Sequence, residues 1–195
     1  MLNLIEHNIE HEYKLYSYKE IIVNNNEFIN GTNIALNRFN NRFGCKIQTE
    51  DFSKYNTFSL TAGLPYYYNL YKTLINIFKD YDNTYNTNGL YFASWINYHT
   101  TNEVLDWHYH EDSYAHGYIS IRPQDTKTLF TGYEIINNVG NIYIGKSVLK
   151  SGEFNKHKVE IENNFDEPRI TIAFDLLDKN SFTNINKTNL GLIPL

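Results

Sequence analysis

From Gly89 onward the chain is a succession of short β-prone segments separated by turn residues, and this rhythm constrains the fold more than any other feature. The segments are Leu90 to His99, Val104 to His110, Gly117 to Arg122, Lys127 to Tyr133, Asn141 to Gly145, His157 to Ile161 and Ile170 to Leu176. They are β-branched or aromatic in character and recur about every 8 to 16 residues. Strands this short and this closely spaced pair across turns, which predicts an antiparallel sandwich or barrel.

The first part of the chain reads differently. Tyr18 to Val23 and Phe58 to Ala62 read as short strands, and Asn33 to Phe43 as a helix. The clearest helix runs from Pro65 to Asp82. Proline is tolerated in a first helical turn, and Leu70, Leu74, Ile77, Phe78 and Tyr81 recur at helical spacing. The asparagine clusters Asn24 to Asn26, Asn40 with Asn41, and Asn163 with Asn164 read as turns or loop tips. No repeat, linker or charge run interrupts the chain, so residues 1–195 are expected to form one domain. Residues 1–89 would be a mixed supporting region, 90–177 the β core and 178–195 a tail.

Composition narrows the function classes. A formal charge of −5 and a pI near 5.8, without a basic block, argue against a surface that tracks long nucleic acid. Cys45 is the only cysteine, which excludes an intramolecular disulfide and cysteine-based zinc sites and reads as a buried structural thiol. The N-terminus lacks the features of a signal peptide, and no apolar run is long enough to span a membrane. The wealth of Asn, Tyr, Ile, Phe and Lys points to an AT-rich genome. The expectation is a protein of the cytoplasm of a bacterial or virus-infected cell.

Three of the seven histidines fall in Asp106-Trp107-His108-Tyr109-His110-Glu111-Asp112-Ser113-Tyr114-Ala115-His116. On a strand, alternate side chains share a face, so His108, His110 and Asp112 would point one way and Trp107 and Tyr109 the other. Paired imidazoles, or imidazole with carboxylate, at this spacing can chelate a first-row metal. A solvated strand edge with incidental histidines is the plainer alternative. His157 follows downstream, and then Arg169-Ile170-Thr171 inside an otherwise apolar strand. A guanidinium in such a strand calls for an anion: either a neighbouring Asp166, Glu167 or Asp175, or a bound carboxylate that Arg169 and Thr171 grip together. His116, just before Gly117 at the start of the next strand, reads as a loop histidine, with support of the metal ligands or contact with substrate as the alternative, and His7, His11 and His99 belong to no visible constellation.

The ordered set of Asn97-Tyr98, the His108 to Asp112 cluster, Gly140 to Gly145, His157 and Arg169-x-Thr171 resembles the Fe(II)/2-oxoglutarate-dependent oxygenase superfamily. It is most similar to small phage and bacterial members of the prolyl-hydroxylase-like type. The resemblance covers about Leu90 to Leu177. It implies a mainly β protein with flanking helices, built as a double-stranded β-helix (a cupin-like jelly roll). It also implies Fe(II) as metal and 2-oxoglutarate as co-substrate, with Arg169, Thr171, Tyr98 and Tyr143 near the latter. The substrate would be a small molecule or a protein side chain, hydroxylated at a C–H bond. Two ligand sets remain: the family-like His110, Asp112 and His157, or an all-histidine His108, His110 and His157. A cupin-like metal protein or isomerase without 2-oxoglutarate, and a non-catalytic jelly-roll module, are the competing classes. Trp95, Trp107 and the tyrosines could wall off the site, although each also suits plain core.

Overall fold

The rhythm of short strands is realised as two antiparallel sheets. The structure is a computed structural model that describes residues 1–43, 56–61, 63–81, 90–101, 103, 105–178 and 193–194. The strands are β1 (Leu2–Asn8), β2 (Tyr13–Tyr18), β3 (Leu90–His99), β4 (Ala115–Arg122), β5 (Thr126–Phe130), β6 (Tyr133–Ile136), β7 (Asn141–Lys146), β8 (His157–Ile161), β9 (Arg169–Asp178) and β10 (Ile193–Pro194). The major sheet has seven strands in the order β1-β2-β7-β4-β9-β3-β10, and the minor sheet three in the order β6-β5-β8. Four helices accompany them among the described residues: α1 (Lys19–Val23), α2 (Asn25–Phe43), α3 (Thr57–Leu60) and α4 (Pro65–Tyr81).

The major sheet has two chemically different faces. Alternation places Ile119, Ile121, Ile142, Ile144, Ile170, Ile172 and Phe174 on one side, each fully buried. There they meet the apolar stripe of α4, where Phe78 packs 5.3 Å from Phe174 and 5.4 Å from Phe92 between ring centroids. Burial of each such side chain contributes about 1.5–3 kcal/mol, so this layer is the main source of stability. Gly117 belongs to it because a Cβ there would lie 2.4 Å from the Phe174 ring.

The opposite face looks toward the minor sheet. Near β2 and β7 the gap is filled by Tyr13, Leu15, Tyr118, Phe130, Ile135 and Tyr143. Toward β9 and β3 the same face becomes polar, with His116, Tyr118 and Ser120 of β4 in register with Asp175, Ala173 and Thr171 of β9. Asn97 and His99 of β3 lie opposite Thr171 and Arg169. The minor sheet turns Thr126, Thr128, Phe130, His157 and Val159 inward, all buried. Its outer side carries Lys127 among Glu134, Glu160 and Glu162.

Several local expectations are corrected. Tyr18 ends β2, and the residues after it form α1 rather than a strand. Phe58 lies in the short helix α3, because the Asn56 side chain accepts from its N–H and caps the turn. The Asn33 to Phe43 helix is the second half of the longer α2, which absorbs Asn40 and Asn41; Asn24 instead marks the junction of α1 and α2. The Lys127 to Tyr133 segment breaks at Gly132 (φ +96°), which reverses the chain into β6. Leu105 to His110 forms no continuous strand, and β1 and β2 add a hairpin that the N-terminal residues did not announce. Cys45, Ala62, Asp82, Gly89 and Val104 lie outside the described residues. No helix among the described residues is long and apolar enough to cross a membrane.

Candidate metal centre

The arm from Leu105 to His110 lies along the edge of β8. His108 and His157 exchange backbone hydrogen bonds at 3.0 Å in both directions, and Val159 N–H donates to the Leu105 carbonyl at 3.1 Å. This local pairing preserves the alternation expected of a strand. Trp107 and Tyr109 face out, 47% and 43% exposed, with Tyr109 against the Phe154 ring. His108 and His110 face in toward His157. The metal-binding atoms of these three imidazoles all lie within 4.8 Å of one another, so the group can hold a metal ion.

Outer contacts orient the rings for that task. His108 Nδ1 sits 2.8 Å from the Asp106 carbonyl oxygen, and His157 Nδ1 sits 3.4 Å from that of Asn155. A carbonyl only accepts, so in both residues the proton resides on Nδ1 and Nε2 keeps the lone pair a metal requires. Burial pushes the His157 pKa well down and that of His108 down as well, which keeps both neutral. His110 differs. Its burial opposes the charged form, but the Asp175 carboxylate, 2.8 Å from Nδ1, outweighs that and raises its pKa. Asp175 thus serves His110 and not Arg169.

The expected carboxylate ligand is elsewhere. Glu111 and Asp112 form an exposed turn, and Asp112 is not one of the grouped side chains. Backbone pairing with β8 ends at His108 and the chain turns at Glu111 and Asp112, so the i, i+2 relation does not extend to Asp112. His116 also departs from expectation. It lies on β4, only 2% exposed, with its ring parallel to those of His110 and His157 at 4.6 and 4.8 Å. Trp95 stacks on His110 at 6.0 Å. The sequence signal for His116 was present in its spacing to Tyr118 and Ser120, once those three are read as one strand face.

Farther along the same sheet face, Arg169 is 3% exposed. Burial pulls its pKa down to about 10. No carboxylate among the described residues pairs with it, since Glu167 binds Arg122 and Asp175 binds His110. Among the described residues its side chain makes a long bond of 3.4 Å to Thr171 Oγ1, which also accepts from Asn97 Nδ2. Arg169 Nε, the Tyr118 hydroxyl, the Ser120 hydroxyl and His116 Nε2 are all buried without a hydrogen-bond partner among the described residues. Buried polar atoms are rarely left so, and these four on one face are groups that water or a polar ligand can satisfy. His99, beside Arg169 in the register, is buried and held near a pKa of about 4 by desolvation and by that guanidinium.

The two tyrosines named from the resemblance take other places. Tyr98 pairs with Ile170 and packs against the helix-side core, on the opposite face from Arg169. Tyr143 is on the inner face, but its hydroxyl is already bonded to Tyr133 at 2.8 Å and to Asn155 Nδ2 at 3.2 Å. It braces the Asn155 turn that orients His157. On the guanidinium's face β3 contributes His99, opposite Arg169, and Asn97, opposite Thr171, rather than Tyr98. No family model matches the chain, and no curated protein matches it.

Proposed function

We propose that this chain is a non-haem Fe(II)- and 2-oxoglutarate-dependent oxygenase of the hydroxylase type, on a double-stranded β-helix. The observation that carries the reading is the row of orphaned buried polar atoms running from His116 to Arg169 beside a three-histidine group. A dicarboxylate suits that row, because Arg169 lacks an anion and Thr171, Ser120 and Tyr118 offer hydroxyls around it. The fit of the metal rests on His108 and His157, held neutral with free Nε2 lone pairs, and on His110 beside them, whose Nδ1 faces Asp175; three imidazole ligands leave a six-coordinate ion three further positions.

His108, His110 and His157 would hold the ion, with Asp175 orienting His110. Arg169 and Thr171 would hold the distal carboxylate of 2-oxoglutarate. When bound, Fe(II) and 2-oxoglutarate together supply the oxidation that converts a substrate C–H to C–OH, with dioxygen reduced and succinate and carbon dioxide released. The chain's own part is to orient and to exclude water. Trp95 on His110 and Phe130, 5.3 Å from the His157 ring, contribute the dry wall. The substrate is a small molecule or a protein side chain.

A second reading is favoured by the all-histidine group: a cupin-like metal protein that does not use 2-oxoglutarate. Arg169 separates the two, since such a protein has no use for an unpaired buried guanidinium. Anaerobic addition of Fe(II) and 2-oxoglutarate should produce a visible charge-transfer band that Arg169→Ala removes. Metal binding without any band would leave only the second reading.

A further inference from the structure

β3 and β9 run antiparallel, and their register sets His99 directly opposite Arg169, with Asn97 opposite Thr171 on the same face. Directly opposed residues have Cβ atoms only about 4.5–5.5 Å apart. Both side chains are buried, and His99 keeps 8% exposure, so a proton can reach it from solvent. A guanidinium this close, in a poorly screened interior, opposes a second positive charge. Burial first, and then Arg169, accordingly hold the imidazole neutral at ordinary pH, against a smaller pull in the other direction from Glu103. On β4, beside β9, Tyr118 faces the same region, and burial keeps its hydroxyl protonated and uncharged. Ser120 of β4 and Thr128 of the minor sheet bring hydroxyls and no charge. The guanidinium is thus the full charge that His99 meets across the strand pair, and an anion is what Arg169 lacks.

We propose that His99 is the proton-linked residue of the anion site: a dicarboxylate that settles on Arg169 draws a proton from solvent onto the His99 imidazole, and occupancy of the site is thereby coupled to pH. This linkage rests on the reading of Arg169 as an anion anchor above and adds regulation to it. The cause is charge compensation. A bound carboxylate cancels the repulsion by the guanidinium and attracts the imidazolium itself. The effect is reciprocal, because an anion that raises proton affinity at His99 is itself bound more tightly, by the same factor, once His99 is protonated. In the free protein His99 takes up its proton only at about 4. Above the higher value reached in the complex, neither state carries the proton and anion affinity is flat. Between the two values only the complex carries it, so affinity rises as pH falls. Below the free value both carry it, and the rise stops.

The test uses the protein at saturating Zn(II), so that His108, His110 and His157 do not titrate, with 2-oxoglutarate as the probe. The His99 Cε1–H resonance, followed by NMR against pH, should move its midpoint up by at least about one pH unit when 2-oxoglutarate is bound. With His99 returned to the ordinary imidazole value of about 6.5, calorimetric affinity rises about tenfold between about pH 7.5 and about pH 5.5. His99→Gln should keep the affinity of the neutral form and lose the rise. The NMR midpoint needs no variant, which guards against a His99→Gln protein that fails to fold. A midpoint that stays in place, or a pH dependence that His99→Gln retains in full, while Arg169→Ala abolishes binding, overturns the linkage and spares the anion reading. Binding that Arg169→Ala does not weaken, or no binding at all, overturns both.

Discussion

His108 and His157 are joined twice over: their backbones exchange two hydrogen bonds of 3.0 Å, and their rings meet at 4.2 Å between centroids. The ligand group is thus built on a sheet edge rather than on a free loop, which limits how far either ring can stray.

Loss of either residue should therefore remove the metal. His157→Ala and His108→Ala are each expected to weaken Fe(II) or Co(II) binding by more than about 100-fold, beyond what outer partners typically contribute. Asp112→Ala should leave affinity unchanged. Metal titration followed by calorimetry decides, and a loss in Asp112→Ala with none in His108→Ala would restore the carboxylate ligand set.

Asp175 acts through His110. Asp175→Asn keeps the shape but removes the charge 2.8 Å from Nδ1. Metal affinity is expected to fall about 10–100-fold with the fold intact by circular dichroism. An unchanged affinity would reduce Asp175 to a structural partner of His110.

Arg169 is expected to cost stability while it waits for an anion. Arg169→Met, measured without ligands, should raise the unfolding free energy by about 1 kcal/mol or more, because an unpaired buried charge is exchanged for apolar volume. In the wild type, 2-oxoglutarate with metal should raise the melting temperature, by about 2.7 kcal/mol of stabilisation at a hundredfold excess over Kd. Arg169→Met should lose that response. A destabilised Arg169→Met would point to an anion already supplied by the chain.

Gly117 separates fold from chemistry. Its missing Cβ leaves room for the Phe174 ring and for the Tyr143 carbonyl, 2.1 Å from where that Cβ would be. Gly117→Ala should cost about 1–3 kcal/mol in denaturant unfolding through overpacking. A variant of wild-type stability would mean that β4 can shift without disturbing the layer.

Acid should expose a separate contact. Lys14 and Tyr16, both bonded to the Asp80 carboxylate, lower its pKa in the folded protein. The resulting stability is present above the unfolded carboxylate pKa and is lost as pH falls through the lower folded value. Because Asp80 is largely exposed, the gain is within about 1 kcal/mol. Asp80→Asn should flatten the acid limb of a stability-versus-pH curve in that window, and an unaltered limb would assign it to other carboxylates.

Much of this protein was legible from local pattern. The strands around Leu90, Gly117, Asn141, His157 and Ile170 and the α4 helix follow from periodicity, because burial of one face repeats every two or about 3.6 residues wherever a core is close. His108, His110 and His157 stood out for their residue type, and Arg169 for its apolar strand. Tertiary structure decided what pattern cannot carry. Pairing with β8 ends at His108, which joins it to His157 in the group, and the turn that follows leaves Asp112 in solvent. The register of β4, β9 and β3 sets His99 opposite Arg169 and Asn97 and Ser120 opposite Thr171, and turns Tyr98 to the helices. The same register brings His116 and Asp175, read first as a loop residue and as a partner for Arg169, against His110. Such relations depend on which strands are neighbours and in what alignment, and a one-residue slip would reverse every face.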